Sequence, residues 1–182
     1  MTHRFEGERT LMRIFIGESD RCQDGAYRGK PLYEGLLSLF RENRGTCTTK
    51  HAVIATLARE LDLPVYKNLG AYAMTEDLVA GTDLLLHEFA LPYIPMLHCF
   101  LASGKFRVDL TEGNRNGKKL SIEVYLKVWP VEPHISAKEE YLLLREALTE
   151  SILQRPELRG VDLKKILQAR EAGIKLLKAN LQ

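Results

Sequence analysis

Two strand-like runs on either side of a turn signal constrain the fold of this chain most strongly. YIPMLHCFLA and KFRVDLT are separated by Ser103-Gly104, a dipeptide that is typical of tight turns. The pattern predicts an antiparallel hairpin. A two-residue turn at 103–104 pairs residue 102 with residue 105 and, counting outward, places His98 directly across from Asp109.

The composition of the two hairpin faces supports this register. The register places apolar side chains together on one face and His98 with Asp109 on the other, whereas a shift by one residue would mix the two sets. We therefore expect a half-buried sheet in which the Asp109 carboxylate orients the His98 imidazole, because directly opposed side chains have Cβ atoms about 4.5–5.5 Å apart. The apolar face contains Leu97, Cys99, Leu101, Phe106, Val108 and Leu110.

A cysteine stands earlier in the chain, at the predicted start of a helix. CTTKHAVIATLARELD follows Gly45 and ends ahead of Pro64, so Cys47 falls in its first turn. There the helix dipole and the unpaired N–H groups favour a thiolate and can receive an oxyanion. Cys47, His98 and Asp109 are thus the parts of a thiol acyl-transfer triad. A structural His–Asp pair behind a packing cysteine fits the same spacing, and both interpretations stay open.

Two stretches resemble a known family. GTCTTKHAVIATLARELDLPV resembles the nucleophile helix of transglutaminase-like proteins, and PMLHCFLASGKFRVDLTEG resembles their His strand, hairpin and Asp strand. The resemblance implies a papain-like fold with Cys47 as nucleophile, His98 as proton carrier and Asp109 as its orienting partner. It implies acyl transfer or amide hydrolysis through a thioester, of the peptidase, amidase or transglutaminase type, on a peptide or other amide-containing substrate.

The same family comparison suggests an oxyanion donor and leaves the substrate open. Gln23, in the loop RCQDGAYRG, is a candidate side-chain donor, as a Gln is in papain-like enzymes; an exposed loop residue is the alternative. Phe100 and Leu110 stand where the family often has Trp and Pro, so the substrate class does not carry over. The segment 74–95 is longer than a minimal family member needs, and we expect it to act as a lid.

The order of the remaining elements predicts an α+β protein. Strands are expected over 12–16, 64–73 and 121–129, and helices over 31–43 and, around Gly81, over 75–91. From residue 136 the pattern is helical, with interruptions near Pro156 and Gly160. We expect a catalytic domain over 1–135, in which the nucleophile helix packs on an antiparallel sheet. A helical extension over 136–182 would pack on that domain or form a homodimer contact.

Composition and motifs exclude several other classes. The formal net charge is only +2, which gives no argument for nucleic acid or a membrane surface. Three cysteines without a framework spacing favour reduced thiols in the cytoplasm. No cofactor is expected, because there is no C-x-x-C pair for zinc near Cys47, His51, His98 and Cys99 and no D-x-D loop for calcium.

A second class of function stays open from the first residues of the chain. IFIGESD with GKPLYEGLL is similar to the first strand and helix of small PII-like signalling domains, but this similarity ends before the Cys47 helix. It keeps a non-catalytic ligand-binding or regulatory module as the alternative.

Overall fold

A computed structural model of the protein describes residues 39–40, 45–112 and 117–180. In chain order, the longer elements are α1 (Cys47–Glu60), β1 (Tyr66–Met74), α2 (Thr82–Glu88), β2 (Ile94–Ser103), β3 (Phe106–Val108), β4 (Lys127–Pro130), α3 (Ala137–Ala147) and α4 (Leu163–Ala179). A π-helical turn (Leu148–Ile152) and a 3-10 turn (Pro156–Leu158) join α3 to α4.

The strands form one antiparallel sheet in the order β3-β2-β1-β4. Helix α1 precedes the sheet, and α3 and α4 follow it. The protein is therefore a mixed α+β fold, as the order of sequence patterns predicts. Within the described ranges, no helix combines the length and the apolar character that a bilayer crossing needs.

Helix α1 begins and ends where the sequence predicts. Thr46 is its N-cap, and its hydroxyl accepts the N–H of Thr49. The helix ends at Glu60, ahead of Asp62, which has a φ of 53°, and of Pro64. Its apolar side chains pack inward against the sheet and against Leu39 and Phe40, which are helical. The predicted strand over 12–16 and the remainder of the predicted helix over 31–43 lie outside the described residues.

Strand β2 is buried on both faces, so the expected half-buried hairpin is wrong. Cys99 and Phe100, which are neighbours on opposite faces, are both buried. Helix α1 packs on the Cys99 face, where Thr48 contacts the Cys99 sulfur. Helix α4 packs on the other face, where Gly173 lies so close to the strand that a side chain added there would place its Cβ 3.4 Å from the Met96 sulfur. The strand with an exposed apolar side is the short β3.

The hairpin register also differs from the prediction by two residues. Ser103 pairs with Phe106 and Leu101 with Val108, so the turn is Gly104-Lys105 and not Ser103-Gly104. Gly104 has a φ of +54°, a conformation that glycine adopts without steric cost and that a two-residue hairpin turn needs at its first position. His98 is therefore not directly across from Asp109, which follows the end of β3.

Two further segments are less regular than predicted. Only Thr82–Glu88 is helical within 75–91, because the chain turns at Gly81 with a φ of +86° before the helix starts. Only Lys127–Pro130 is a strand in the region of 121–129. The C-terminal helices are interrupted near Pro156 and Gly160, as expected. Helix α4 packs closely on the sheet at Gly173, because a Cβ added to this glycine would lie only 2.9 Å from Met74 Cε.

Candidate active site

Cys47 is the first residue of α1 and is partly exposed. The Thr46 hydroxyl accepts the N–H of Thr49, and no described residue accepts the N–H of Cys47. The thiol therefore lies at the positive end of the helix dipole, beside the Cys47 N–H, which can donate to another acceptor. Both features favour a thiolate.

His98 lies between Cys47 and Asp109. Its Nε2 is 2.9 Å from Asp109 Oδ2, and its ring lies beside the Cys47 thiol at the wall of one cavity. Because Asp109 faces Nε2, Nδ1 is the ring nitrogen that remains for the thiol. The structure therefore brings the three predicted site residues together, although the predicted register is wrong.

Asp109 is held by more than His98. The N–H of Thr111 donates to Asp109 Oδ1 at 2.8 Å, and the Thr111 hydroxyl donates to the same oxygen. The ammonium of Lys118 forms an ion pair with Oδ2, and both side chains are largely buried. Lys118 was not predicted. It belongs to a lysine pair in a polar segment, which in a sequence is typical of a solvated loop and gives no signal of this contact.

A second histidine, His51, joins the nucleophile helix to the Asp109 segment. Its Nδ1 donates to the carbonyl oxygen of Cys47 at 2.7 Å, and its Nε2 accepts the N–H of Leu110 at 2.9 Å. Burial lowers the pKa of His51, so the ring is neutral, as an Nε2 acceptor must be. Both ring nitrogens are used by backbone groups, which leaves none for a metal. His51 is a positioning residue.

The charges of the site favour a thiolate–imidazolium pair. A hydrogen bond with the Cys99 thiol, the hydrogen bond and charge of His98, and the N–H of Cys99 hold the pKa of Cys47 well below its usual value, although burial opposes them. Burial alone would lower the pKa of His98, but its bonds to Asp109 and Cys47 outweigh burial and raise it to about 9. At neutral pH the thiol is thus ionised and the imidazole protonated.

Asp109 is ionised under the same conditions. Burial would raise its pKa, but the hydrogen bond and charge of His98, followed by those of Lys118 and Thr111, hold it well below the usual range. An ionised carboxylate beside the imidazolium is what keeps His98 protonated.

A buried polar cluster lies behind the nucleophile. The Thr48 hydroxyl donates to Glu140 Oε1 at 3.0 Å and lies 3.6 Å from the Cys99 sulfur. These contacts fix the first turn of α1 to α3 and to β2. The hydrogen bond with Cys47, followed by burial and the charge of the Cys47 thiolate, raises the pKa of Cys99, which therefore stays protonated and can donate to that thiolate.

A cavity of about 260 Å³ opens beside Cys47 and His98. Aliphatic side chains form the largest group of its lining residues, and Tyr72 adds an aromatic ring that contacts the His98 ring edge-on, with centroids 6.3 Å apart. Tyr72 is only 3% exposed, and its hydroxyl has no hydrogen-bond partner among the described residues. Burial and the nearby Cys47 charge raise its pKa, so the hydroxyl keeps its proton and can donate it.

Gln23 and Cys22 lie outside the described residues, so the proposed oxyanion role of Gln23 stays a prediction. Within the described ranges, no group of three or more His, Cys, Asp or Glu side chains is arranged to hold a metal ion. Comparison with known proteins gives no match among protein-family models, curated proteins or solved structures.

Proposed function

We propose that this protein is a cysteine-nucleophile acyl-transfer enzyme that acts on amide bonds through Cys47, His98 and Asp109. The observation that carries the proposal is that Cys47, at the start of a helix, lies beside His98 in one cavity, with His98 Nε2 2.9 Å from Asp109 Oδ2. A His–Asp pair with a purely structural role would not require a thiol beside the second ring nitrogen of the histidine, nor an open cavity beside that thiol.

The same elements support a papain- or transglutaminase-like core. A helix that begins at the cysteine packs against an antiparallel sheet, and the histidine strand leads through a hairpin to the aspartate. This is the arrangement that the resemblance of the two sequence stretches implies. The proposed fold and the proposed chemistry therefore depend on the same residues.

The first half of the reaction forms a thioester. The Cys47 thiolate attacks the amide carbonyl carbon, and the carbonyl π electrons move to oxygen, which becomes the oxyanion of a tetrahedral intermediate. The N–H of Cys47, which no described residue accepts, and the hydroxyl of Tyr72 are the donors that this intermediate would meet. The C–N bond then breaks, His98 gives its proton to the leaving nitrogen, and the amine departs.

The second half releases the acyl group. Neutral His98 takes a proton from the acceptor, a water or an amine, as the acceptor attacks the thioester carbonyl. The C–S bond breaks, the thiolate of Cys47 returns, and His98 is again protonated. Asp109 stabilises the imidazolium in both halves without taking the proton itself. Water gives hydrolysis, and an amine gives transfer.

Selective alkylation tests the nucleophile. We expect iodoacetamide at pH 6–7 to modify Cys47 quickly and Cys22 and Cys99 slowly, as measured by intact mass and peptide mapping, because Cys47 is, of the two cysteines in the described residues, the one with a stabilised thiolate. His98→Gln should slow the reaction at Cys47, and Cys47→Ser should remove the fast phase. Equal, slow labelling of all three cysteines would support a non-catalytic binding module instead.

Acylation tests the reaction itself. An activated ester such as p-nitrophenyl acetate should leave an acetyl group on Cys47 that decays in water and decays faster when a primary amine is added. A fast-alkylating protein that never acquires the acyl group would contradict the proposed catalysis even if the thiolate is present.

A further inference from the structure

The cavity beside Cys47 has walls that suit an aliphatic group. Its aliphatic lining comes from β2, α4 and the loops after β1 and β3, and consists of Leu78, Val79, Leu97, Ile122, Ile174 and Leu177. Pockets for drug-sized ligands have volumes of about 300–1,000 Å³. At about 260 Å³ this cavity suits a segment of one or two residues.

Apart from the Cys47 thiolate, the charged side chains that line this cavity all carry positive charge. Lys50, Lys118 and Lys178 line it, and among the described lining residues there is no acidic side chain. Lys118 is paired with Asp109. Neither Lys50 nor Lys178 has an ion-pair partner within the described part of the chain, although the whole protein is almost neutral. A low-dielectric cleft lined by one sign of charge concentrates its field on a ligand of the opposite sign.

Tyr72 is a further polar residue of the cavity lining. The residue is 3% exposed, and no described residue pairs with its hydroxyl. A hydroxyl in a largely buried residue of the lining fits a donor to a bound group.

We propose that this cavity selects acyl donors in which a bulky aliphatic side chain lies next to a carboxylate, within one or two residues of the scissile carbonyl. The aliphatic side chain fills the apolar walls, and the carboxylate faces the ammonium groups of Lys50 and Lys178. This selection rests on the proposed acyl transfer at Cys47 and names the substrate class of the same site. The bonds that form and break are those of the two-step reaction above.

Peptidyl chloromethyl ketones report this selection without a known substrate. Their ketone places the peptide as an acyl donor, and the Cys47 thiolate displaces chloride. Two N-acetyl dipeptide series, X-Leu and Leu-X with X as Glu, Gln or Lys, place the charge on either side of the aliphatic residue. The rate constant for Cys47 modification is measured by intact mass and divided by the rate constant for iodoacetamide.

We expect Glu to exceed Lys by about threefold or more in at least one series, since an exposed charge pair changes an equilibrium about 1.5- to fivefold. The preference should shrink as salt is raised. Replacing Leu by Gly in the better probe should slow labelling about tenfold or more, because a hydrophobic pocket loses at least that for a missing group.

Two charge-reversal variants on α4 test whether Lys178 causes the preference for Glu probes over Lys probes. Lys178→Glu should abolish or reverse the Glu-over-Lys ratio. Lys164→Glu is the matched control, because it makes the same change about 21 Å away along the helix axis and outside the cavity lining. The control should keep the ratio of the parent. If Lys178→Glu does not fold, Lys50→Gln and the salt titration of the parent carry the same test.

The outcomes separate the two proposals. Fast, selective iodoacetamide labelling of Cys47 with equal rates for Glu and Lys probes, or with faster Lys probes, overturns the substrate selection and leaves the acyl-transfer proposal standing. A ratio that changes equally in Lys164→Glu and Lys178→Glu also overturns it, because the effect is then general electrostatics. If Cys47 shows no selective alkylation, both proposals fail.

Discussion

The replacement Asp109→Asn tests whether Asp109 acts in catalysis or only in stability. The pKa of His98 is about 9, against 6.5 for an ordinary histidine. That difference corresponds to about 3 kcal/mol in favour of the imidazolium. The hydrogen bond with Asp109 is the largest of the contacts that raise the pKa. We therefore expect the variant to lose a substantial part of this preference.

The expected effects on reactivity follow from that loss. The alkaline limit of turnover, which we place near pH 9 in the parent because His98 must carry a proton, should move down by at least about one unit. The Cys47 thiolate loses part of its counter-charge, so its alkylation at pH 6–7 should slow. Turnover should fall by about 10²- to 10⁴-fold, the range that a general acid–base contributes.

Stability has to be measured on the same sample. Asparagine also removes the carboxylate of the Lys118–Asp109 ion pair, which costs on the order of 1–3 kcal/mol for an unmade buried contact. The double variant Asp109→Asn with Lys118→Met removes both members of that ion pair and should lose turnover as the single variant does. A single variant that melts early, yet alkylates at Cys47 like the parent, would refute the catalytic role of Asp109.

Three further replacements test the residues around Asp109 and Cys47. Because the pKa of Asp109 lies below its unfolded value, its stabilising effect is present above about pH 4 and is lost as the pH falls; Lys118→Met should lower the melting temperature at pH 7 and flatten its decline between pH 5 and 3. His51→Gln should lower the free energy of unfolding, measured with denaturant, by about 1–3 kcal/mol, because two hydrogen bonds are lost. The parent protein should lose stability below about pH 6.5, because His51 then becomes protonated in the unfolded chain but not in the folded one. Tyr72→Phe should reduce turnover about tenfold or more at an unchanged alkylation rate, and equal turnover would exclude its hydroxyl as an oxyanion donor.

The pairing of His98 with Asp109 was predictable although the register was not. A shift by two residues preserves which side chains share a face, so both residues stay on one side of the hairpin. The diagonal between them is then still short enough for the 2.9 Å contact. The prediction of a shared face is therefore robust, whereas the choice between turns at 103–104 and 104–105 depends on the preference of glycine for the first turn position.

The other members of the site could not be predicted from local patterns. Lys118 comes from a polar loop, and Tyr72 comes from β1, a strand whose contacts depend on the whole sheet. Burial of β2 on both faces depends on α1 and α4, which are distant in sequence. An alternating strand indicates which side chains share a face, but not what covers either face.

The early end of β3 is what makes room for the nucleophile. Residues that flank a two-residue turn form a hydrogen-bonded pair, and every second residue along the strand then points its N–H to the same side. With Ser103 paired to Phe106, the N–H of Cys99 points toward the β3 side, but β3 ends at Val108, which pairs with Leu101. The Cys99 N–H is therefore left for Cys47. The predicted turn would have aimed this N–H at β1, so the predicted register and this contact to the nucleophile are mutually exclusive.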